Sequence, residues 1–254
     1  PENGFQPDPE EIATLISPRT RAIVLINPNN PTGAVYSEEL LRAIAAIAET
    51  HQLVVFSDEI YDSMVYGDAK HIPMATIVGD TLCATFGGLS KVYRACGYRV
   101  GWVSFSGEKE RAADYIHAVE LLASLRLCSN VPGQWAVQTA LGGYQSIKEL
   151  VGNDGRLHAS RQAVIDACAA SRYLDLVEPD GAMYAFPGVN TEQLPGFDDR
   201  RFALELLEKK HVLVAPGSSF NFPRPNHFRV TTLPTRAVID DVFGRIEDVL
   251  DGMA

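Results

Sequence analysis

Short apolar runs alternating with amphipathic stretches fill the first half of the chain. Residues 21–26 (RAIVLI) form a β-branched run closed by Asn-Pro, the pattern of a strand buried on both faces of a parallel sheet. Residues 38–50 place Leu40, Leu41, Ile44, Ile47 and Ala48 on one helical face, with Ser37 as N-cap. Runs at 53–57, 82–86 and 100–105 predict three further strands. Strands separated by a helix or a long connection define an α/β layered domain: part of a mostly parallel sheet with helices on both faces.

A long helical stretch over 108–146, interrupted at Pro132-Gly133, is read as the link to a second unit. Beyond it, 156–170, 199–210 and 235–251 read as helices, and 173–177, 182–186, 212–215 and 227–232 as strands. This mixed order predicts a smaller C-terminal α+β domain. Gly152-Asn153-Asp154-Gly155 marks the boundary, giving a large domain over 1–150 and a small one over 151–254.

Composition narrows the function. The 254 residues carry 22 Lys+Arg against 32 Asp+Glu, a net charge of −10 with no basic block, which argues against a nucleic-acid partner. No apolar run reaches the roughly 20 residues of a membrane span, and the N-terminus lacks a signal-peptide pattern. Cys83, Cys96, Cys128 and Cys168 show neither C-x-x-C nor zinc-site spacing, so the expectation is a cytoplasmic protein without metal or disulfides. The chain begins Pro-Glu-Asn-Gly without an initiator Met, as processing, recombinant expression or a fragment would each produce.

Polar residues cluster just after three of the predicted strands. These are 27–33 (NPNNPTG), 58–61 (DEIY) and 87–91 (GGLSK). Open α/β sheets bind ligands outside the carboxyl ends of their strands, so the three loops should converge on one site. An Asn, an Asp, a Tyr, a Lys and a nearby Arg in one cleft suit a carbonyl-bearing cofactor held by lysine, with a carboxylate for a protonated pyridine nitrogen and an arginine for a phosphate. That set describes pyridoxal phosphate chemistry. Neither G-x-G-x-x-G nor a P-loop occurs.

These motifs, together with Ser90-Lys91 and 97–101 (GYRVG), strongly resemble class I aminotransferases, the aspartate aminotransferase-like branch of fold-type I pyridoxal-phosphate enzymes. The similarity continues to Phe228-Arg229-Val230, and 122–147 is most similar to the bacterial glutamate–pyruvate (alanine) branch. The resemblance implies roles residue by residue. Lys91 is the Schiff-base lysine and proton shuttle, and Asp58 pairs with the pyridinium nitrogen. Asn30 and Tyr61 bond the cofactor's phenolic oxygen, Arg99 binds the phosphate, and Arg229 clamps the substrate carboxylate. It further implies a homodimer and ping-pong exchange of an amino group between alanine or glutamate and a 2-oxo acid. Other activities on the same scaffold (a β-lyase, an aromatic or aspartate aminotransferase) and a non-catalytic sensor or fragment are the alternatives.

Several residues read as bland. Glu59 is expected to be solvated or paired, Arg94 and Arg126 to form salt bridges in preference to reaching the phosphate or a neighbouring subunit, and His51 and His211 to carry no chemistry. Tyr184 lines the cleft or packs between domains. Two departures from the family pattern stand out. Gly88 replaces a hydroxyl residue that touches the phosphate in many relatives, leaving that contact to Ser90 or backbone N–H. Relatives also carry an extensive upstream segment, so the resemblance implies that these residues form the C-terminal part of an aminotransferase, with an open sheet edge prone to association.

Overall fold

A computed structural model describes residues 1–254. The chain opens with a short helix, α1 (Pro9–Leu15), which no apolar periodicity announces. Its signal is chemical: Asp8 caps it by accepting from the Glu10 N–H at 2.8 Å, and Pro9, Glu10 and Glu11 suit a first turn. Strand β1 (Ala22–Ile26) leads through helix α2 (Glu38–Thr50) to β2 (Val54–Asp58), and β3 (Cys83–Gly88) follows. These three strands are parallel neighbours, and β4 (Gly101–Ser106) closes the order β1-β2-β3-β4 antiparallel to β3. The sheet is therefore mostly parallel.

Alternation along the strands divides the sheet into two faces. Leu25, Val55 and Cys83 point toward α2 and join Leu41, Ile44 and Ala48 in one apolar cluster. Ser37 caps α2, its Oγ accepting from the Leu40 N–H at 3.1 Å. On the other face helix α3 (Ala113–Leu125) sets Tyr115 edge-on against Phe105 of β4, with ring centroids 6.3 Å apart. Val24 on that face is nonetheless 67% exposed, so β1 is not buried on both sides as its apolar run suggested. A run of apolar residues shows that a strand can be covered on both faces, not that this chain supplies both covers.

The stretch over 108–146 is not one helix. A 3₁₀ turn precedes α3, the chain breaks near Leu127, which has φ 63°, and α4 (Val131–Gly142) starts afresh. Asn130 caps α4 by accepting from the Gly133 N–H at 3.0 Å, and Pro132 lies in its first turn, where its missing N–H costs nothing. Pro132-Gly133 therefore marks a start. Leu122, Leu125, Trp135 and Leu141 are exposed along α3 and α4. No helix is long and apolar enough to cross a membrane.

The C-terminal part is α+β. Helix α5 (Ile147–Val151) precedes α6 (Arg156–Ala170), then the two-residue strands β5 (Leu174–Asp175), β6 (Tyr184–Ala185) and β7 (Gly188–Val189). Helix α7 (Asp199–Lys210), β8 (Ala215–Pro216), β9 (Phe228–Thr231) and α8 (Arg236–Asp251) complete it. Strands pair antiparallel in the orders β5-β7 and β6-β9-β8. A cluster drawn from Val164, Phe202, Leu206, Phe228 and Ile246 fills the centre. A third cluster mixes Tyr61, Met64 and Val92 with Ile147, Leu157 and Tyr184, so the two parts share apolar contact beside the strand ends.

His227 sits in an aromatic nest of Phe5, Phe186 and Phe222, only 5% exposed. Its Nδ1–H donates to Asn226 Oδ1 at 2.8 Å. Burial, with the Arg224 charge nearby, pushes its pKa down from 6.5 to about 4. Between those values the unfolded chain binds a proton that the folded chain refuses, so stability falls on acidification through that window. The loss should approach roughly 3 kcal/mol by pH 4. Urea midpoints of the parent and His227→Gln, compared from pH 7 to pH 4, should diverge by that amount, with the parent losing more.

Candidate active site

The ends of the parallel strands build the site. Register places Ile26, Asp58 and Phe86 side by side in one row of the sheet. With Asn30, Ile60, Tyr61, Gly87, Ser90, Lys91 and Tyr184 they line a cavity of about 370 Å³. Its walls thus come from all three loops singled out by sequence and from β6. The loop after β1 is held by its own side chains. Asn27 Oδ1 accepts from the Tyr36 N–H at 3.0 Å, and Asn29 Oδ1 accepts from the Thr32 hydroxyl at 2.8 Å. Gly33 has φ +75°, and a Cβ there would lie 2.3 Å from the Pro179 Cβ, so only glycine lets this loop press against the 179–184 segment.

The two carboxylates of the DEIY motif part company by alternation. Asp58 faces the cavity, where Oδ1 accepts from the Ile60 N–H at 3.1 Å and the other oxygen takes no hydrogen bond. Glu59 turns inward and is 8% exposed, so it is paired rather than solvated. Its Oε1 accepts from the Ser57 hydroxyl at 2.8 Å and from the Met74 N–H at 2.9 Å, and Oε2 lies 3.5 Å from His71 Nε2. Burial lowers the His71 pKa against the pull of that carboxylate. Ser57 and Glu59, spaced by two on the strand, are the signal that could have revealed this anchor.

Lys91 is half-buried at the cavity wall, whereas the lysines that form ion pairs are Lys209 and Lys210 on α7. Tyr61 is 3% exposed, and its hydroxyl lies 3.1 Å from that of Tyr184. Burial first, and then this hydroxyl pair, hold the Tyr61 pKa well above the usual phenol range, so it stays a neutral donor. Arg229 of β9 reaches the same place from the other half of the chain. Its Nη1 donates to Asn30 Oδ1 at 2.8 Å, and its guanidinium stacks 4.5 Å from the Tyr184 ring and 4.8 Å from the Phe220 ring. Tyr184 therefore belongs to the cleft. The aromatic sandwich was not read from sequence, since Phe220 carries no motif.

Arg99 is placed differently from the rest. It has φ 52°, is exposed, and donates from Nη1 to the Cys96 carbonyl at 2.7 Å. It lines an adjoining cleft of about 640 Å³ with Arg126, Asn130 and Gln134. The two clefts meet at the β3–β4 ends, where Gly87 pairs with Trp102 and Gly88 with Gly101. Gly87 is bare because a Cβ would lie 2.6 Å from the Trp102 indole nitrogen. The salt bridges expected of Arg94 and Arg126 do not form. Arg94 Nη2 donates to the Ser146 hydroxyl at 2.7 Å, and Arg126 opens among Ser129, Asn130 and Gln134, which are neutral. His51 and His211 end α2 and α7 as C-caps.

With this geometry in place, the comparisons with known proteins are consistent. The family model "Aminotransferase class I and II" matches residues 1–246, and the chain belongs to that family. It is 48% identical over 236 residues to the glutamate-pyruvate aminotransferase AlaA of Escherichia coli (strain K12), an alignment covering 93% of this chain and 58% of that protein. It is likewise 48% identical over 231 residues to an alanine aminotransferase of Mycobacterium tuberculosis (strain H37Rv), covering 91% and 54%. A crystal structure of an aminotransferase from Escherichia coli superposes with a TM-score of 0.96 at 45% identity, covering 99% of this chain and 62% of that one. The chain thus spans little more than half the length of these curated relatives.

Pyridoxal phosphate is the cofactor of this family, and the residues fit its ring. A carboxylate with an uncommitted oxygen, an amine and a neutral phenol converge on one cavity. The neighbouring carboxylates should separate in a stability measurement. Asp58→Asn keeps an acceptor for the Ile60 N–H and should change unfolding free energy by less than about 0.5 kcal/mol. Glu59→Ala strands a buried hydroxyl and a buried N–H and should cost about 2–4 kcal/mol in urea titrations.

Proposed function

We propose that the protein is a pyridoxal-phosphate-dependent transaminase that moves an amino group between alanine or glutamate and a 2-oxo acid. The observation that carries this reading is the convergence of Asn30, Asp58, Tyr61, Ser90, Lys91 and Tyr184 on one cavity, with Arg229 bonded to Asn30. The choice of substrates is supported by the printed names of the relatives, glutamate-pyruvate and alanine aminotransferase.

The cofactor, when bound, supplies a carbonyl carbon and an electron-withdrawing pyridine ring. The chain's own groups do the rest. Lys91 Nζ holds the cofactor and then carries a proton to and from the substrate. The Asp58 carboxylate keeps a proton on the pyridine nitrogen by charge pairing. Tyr61 donates from its hydroxyl, and Asn30, whose Oδ1 is committed to Arg229, has only its amide N–H groups left to donate. Arg229 keeps further N–H donors for a substrate carboxylate, which a forked guanidinium pairs in a way an ammonium cannot. Ser90 and Arg99 are the proposed phosphate contacts, Ser90 from the cavity and Arg99 from the adjoining cleft.

We also propose a homodimer acting in the cytoplasm. The exposed apolar side chains of α3 and α4 support a covered face there, and four cysteines scattered without C-x-x-C spacing support a reducing compartment. A division into 1–150 and 151–254 is supported by two apolar clusters, each drawn wholly from one side of that boundary.

Adding pyridoxal phosphate to the purified protein should produce a visible absorption band that Lys91→Ala abolishes; no band at saturating cofactor defeats the reading. Arg229→Lys should weaken binding of carboxylate substrates by about 2 kcal/mol or more, roughly thirtyfold, measured as KM for an amino acid or Kd for its unreactive analogue.

A further inference from the structure

Tyr184 touches two elements of the site with two different parts of its side chain. Its ring lies 4.5 Å from the Arg229 guanidinium carbon, opposite Phe220, and its hydroxyl lies 3.1 Å from the Tyr61 hydroxyl. The two phenol rings meet edge to face at 82°, with centroids 5.8 Å apart. Tyr184 is only 7% exposed, and its backbone pairs with Thr231 on β9, two residues from Arg229. The contact with Arg229 is therefore fixed by a short ladder, and the contact with Tyr61 ties that ladder to the loop after β2.

We propose that Tyr184 is a positioning residue with two separable roles: its ring holds Arg229 ready for a carboxylate, and its hydroxyl competes with the cavity for the Tyr61 proton. This rests on the transaminase reading above. A phenol has one proton and two lone pairs, so of two facing phenols one donates and the other accepts. The bond to Tyr184 raises the Tyr61 pKa, as an acceptor for the Tyr61 proton does, so the Tyr184 hydroxyl draws that proton from a partner in the cavity beside Lys91. When Tyr184 lacks the hydroxyl, Tyr61 loses that acceptor and its proton is free for the cavity partner. The charged groups facing this pair are Asp58 from β2, Lys91 from the loop after β3 and Arg229 from β9. The ring's role is separate. A guanidinium held between two aromatic faces loses less freedom when it takes a carboxylate, and its charge is favoured over both rings.

Two substitutions separate the parts. Tyr184→Phe keeps the ring and removes the hydroxyl; Tyr184→Leu removes both. The first measurement is the pH midpoint of the visible band in the protein loaded with pyridoxal phosphate. The second is calorimetric binding of propionate, a carboxylate with no amino group to react. Tyr184→Phe should lower the midpoint by about half to one pH unit, the size of one neutral hydrogen bond redirected into the cavity, and leave the propionate Kd within about twofold. Tyr184→Leu should lower the midpoint similarly and weaken propionate binding about three- to tenfold. A band whose midpoint Tyr184→Phe leaves in place overturns the hydroxyl's role, and unchanged propionate binding in Tyr184→Leu overturns the ring's. A parent protein without any band overturns the site reading and this proposal with it.

Discussion

Three parallel strands end in one row, and that registration holds the site together. Ile26, Asp58 and Phe86 lie side by side because β1, β2 and β3 are in parallel register. The loops that leave those ends have little choice of direction. The Glu59 N–H carries the pairing one step further by donating to the Phe86 carbonyl at 3.0 Å. Alternation then decides which side chains serve chemistry and which serve structure. Asp58 faces the cavity, while Ser57 and Glu59 on either side of it are buried on the α2 side and bonded to each other. The backbone between two such anchors cannot turn Asp58 away from the cavity without breaking buried hydrogen bonds.

The second constraint joins the halves of the chain. Arg229 and Asn30, 199 residues apart, share a hydrogen bond at 2.8 Å, and the guanidinium is clasped between Tyr184 and Phe220. Around it, Gly33 and Gly181 allow backbones to approach where a Cβ would collide with Pro179, Pro28 or Val35. The cavity thus sits where two partly independent cores meet, the usual position for a small-molecule site. Most of the polar groups there are already oriented by a protein partner.

Much of this was legible in sequence for reasons that can be named. Helices over 38–50, 156–170 and 199–210 were recognised because their apolar spacing or breakers are local properties, and the structure gives Glu38–Thr50, Arg156–Ala170 and Asp199–Lys210. Strand ends were visible because Asn-Pro, Asp-Glu and Gly-Gly follow β-branched or aromatic runs. Pro132-Gly133 marks an interruption of the stretch over 108–146, but Pro132 in a first turn and Pro inside a helix look alike until the cap at Asn130 shows that it starts a new helix. Burial of Val24 was overestimated because an apolar residue does not name its neighbour.

Sequence alone determined the chemical inventory: a lysine after a glycine pair, an aspartate ending a strand, an arginine in a late strand, and the family these imply. Those are statements about residue type and spacing along the chain. Tertiary structure alone decided which of them meet. It turned Glu59 into a buried anchor, brought Tyr184 from an ambiguous position onto both Tyr61 and Arg229, and set Arg99 in the neighbouring cleft. The reason is physical. Contacts such as Tyr61–Tyr184 and Asn30–Arg229, more than a hundred positions apart, depend on how two cores dock, and docking follows from summed burial over many side chains rather than from any motif.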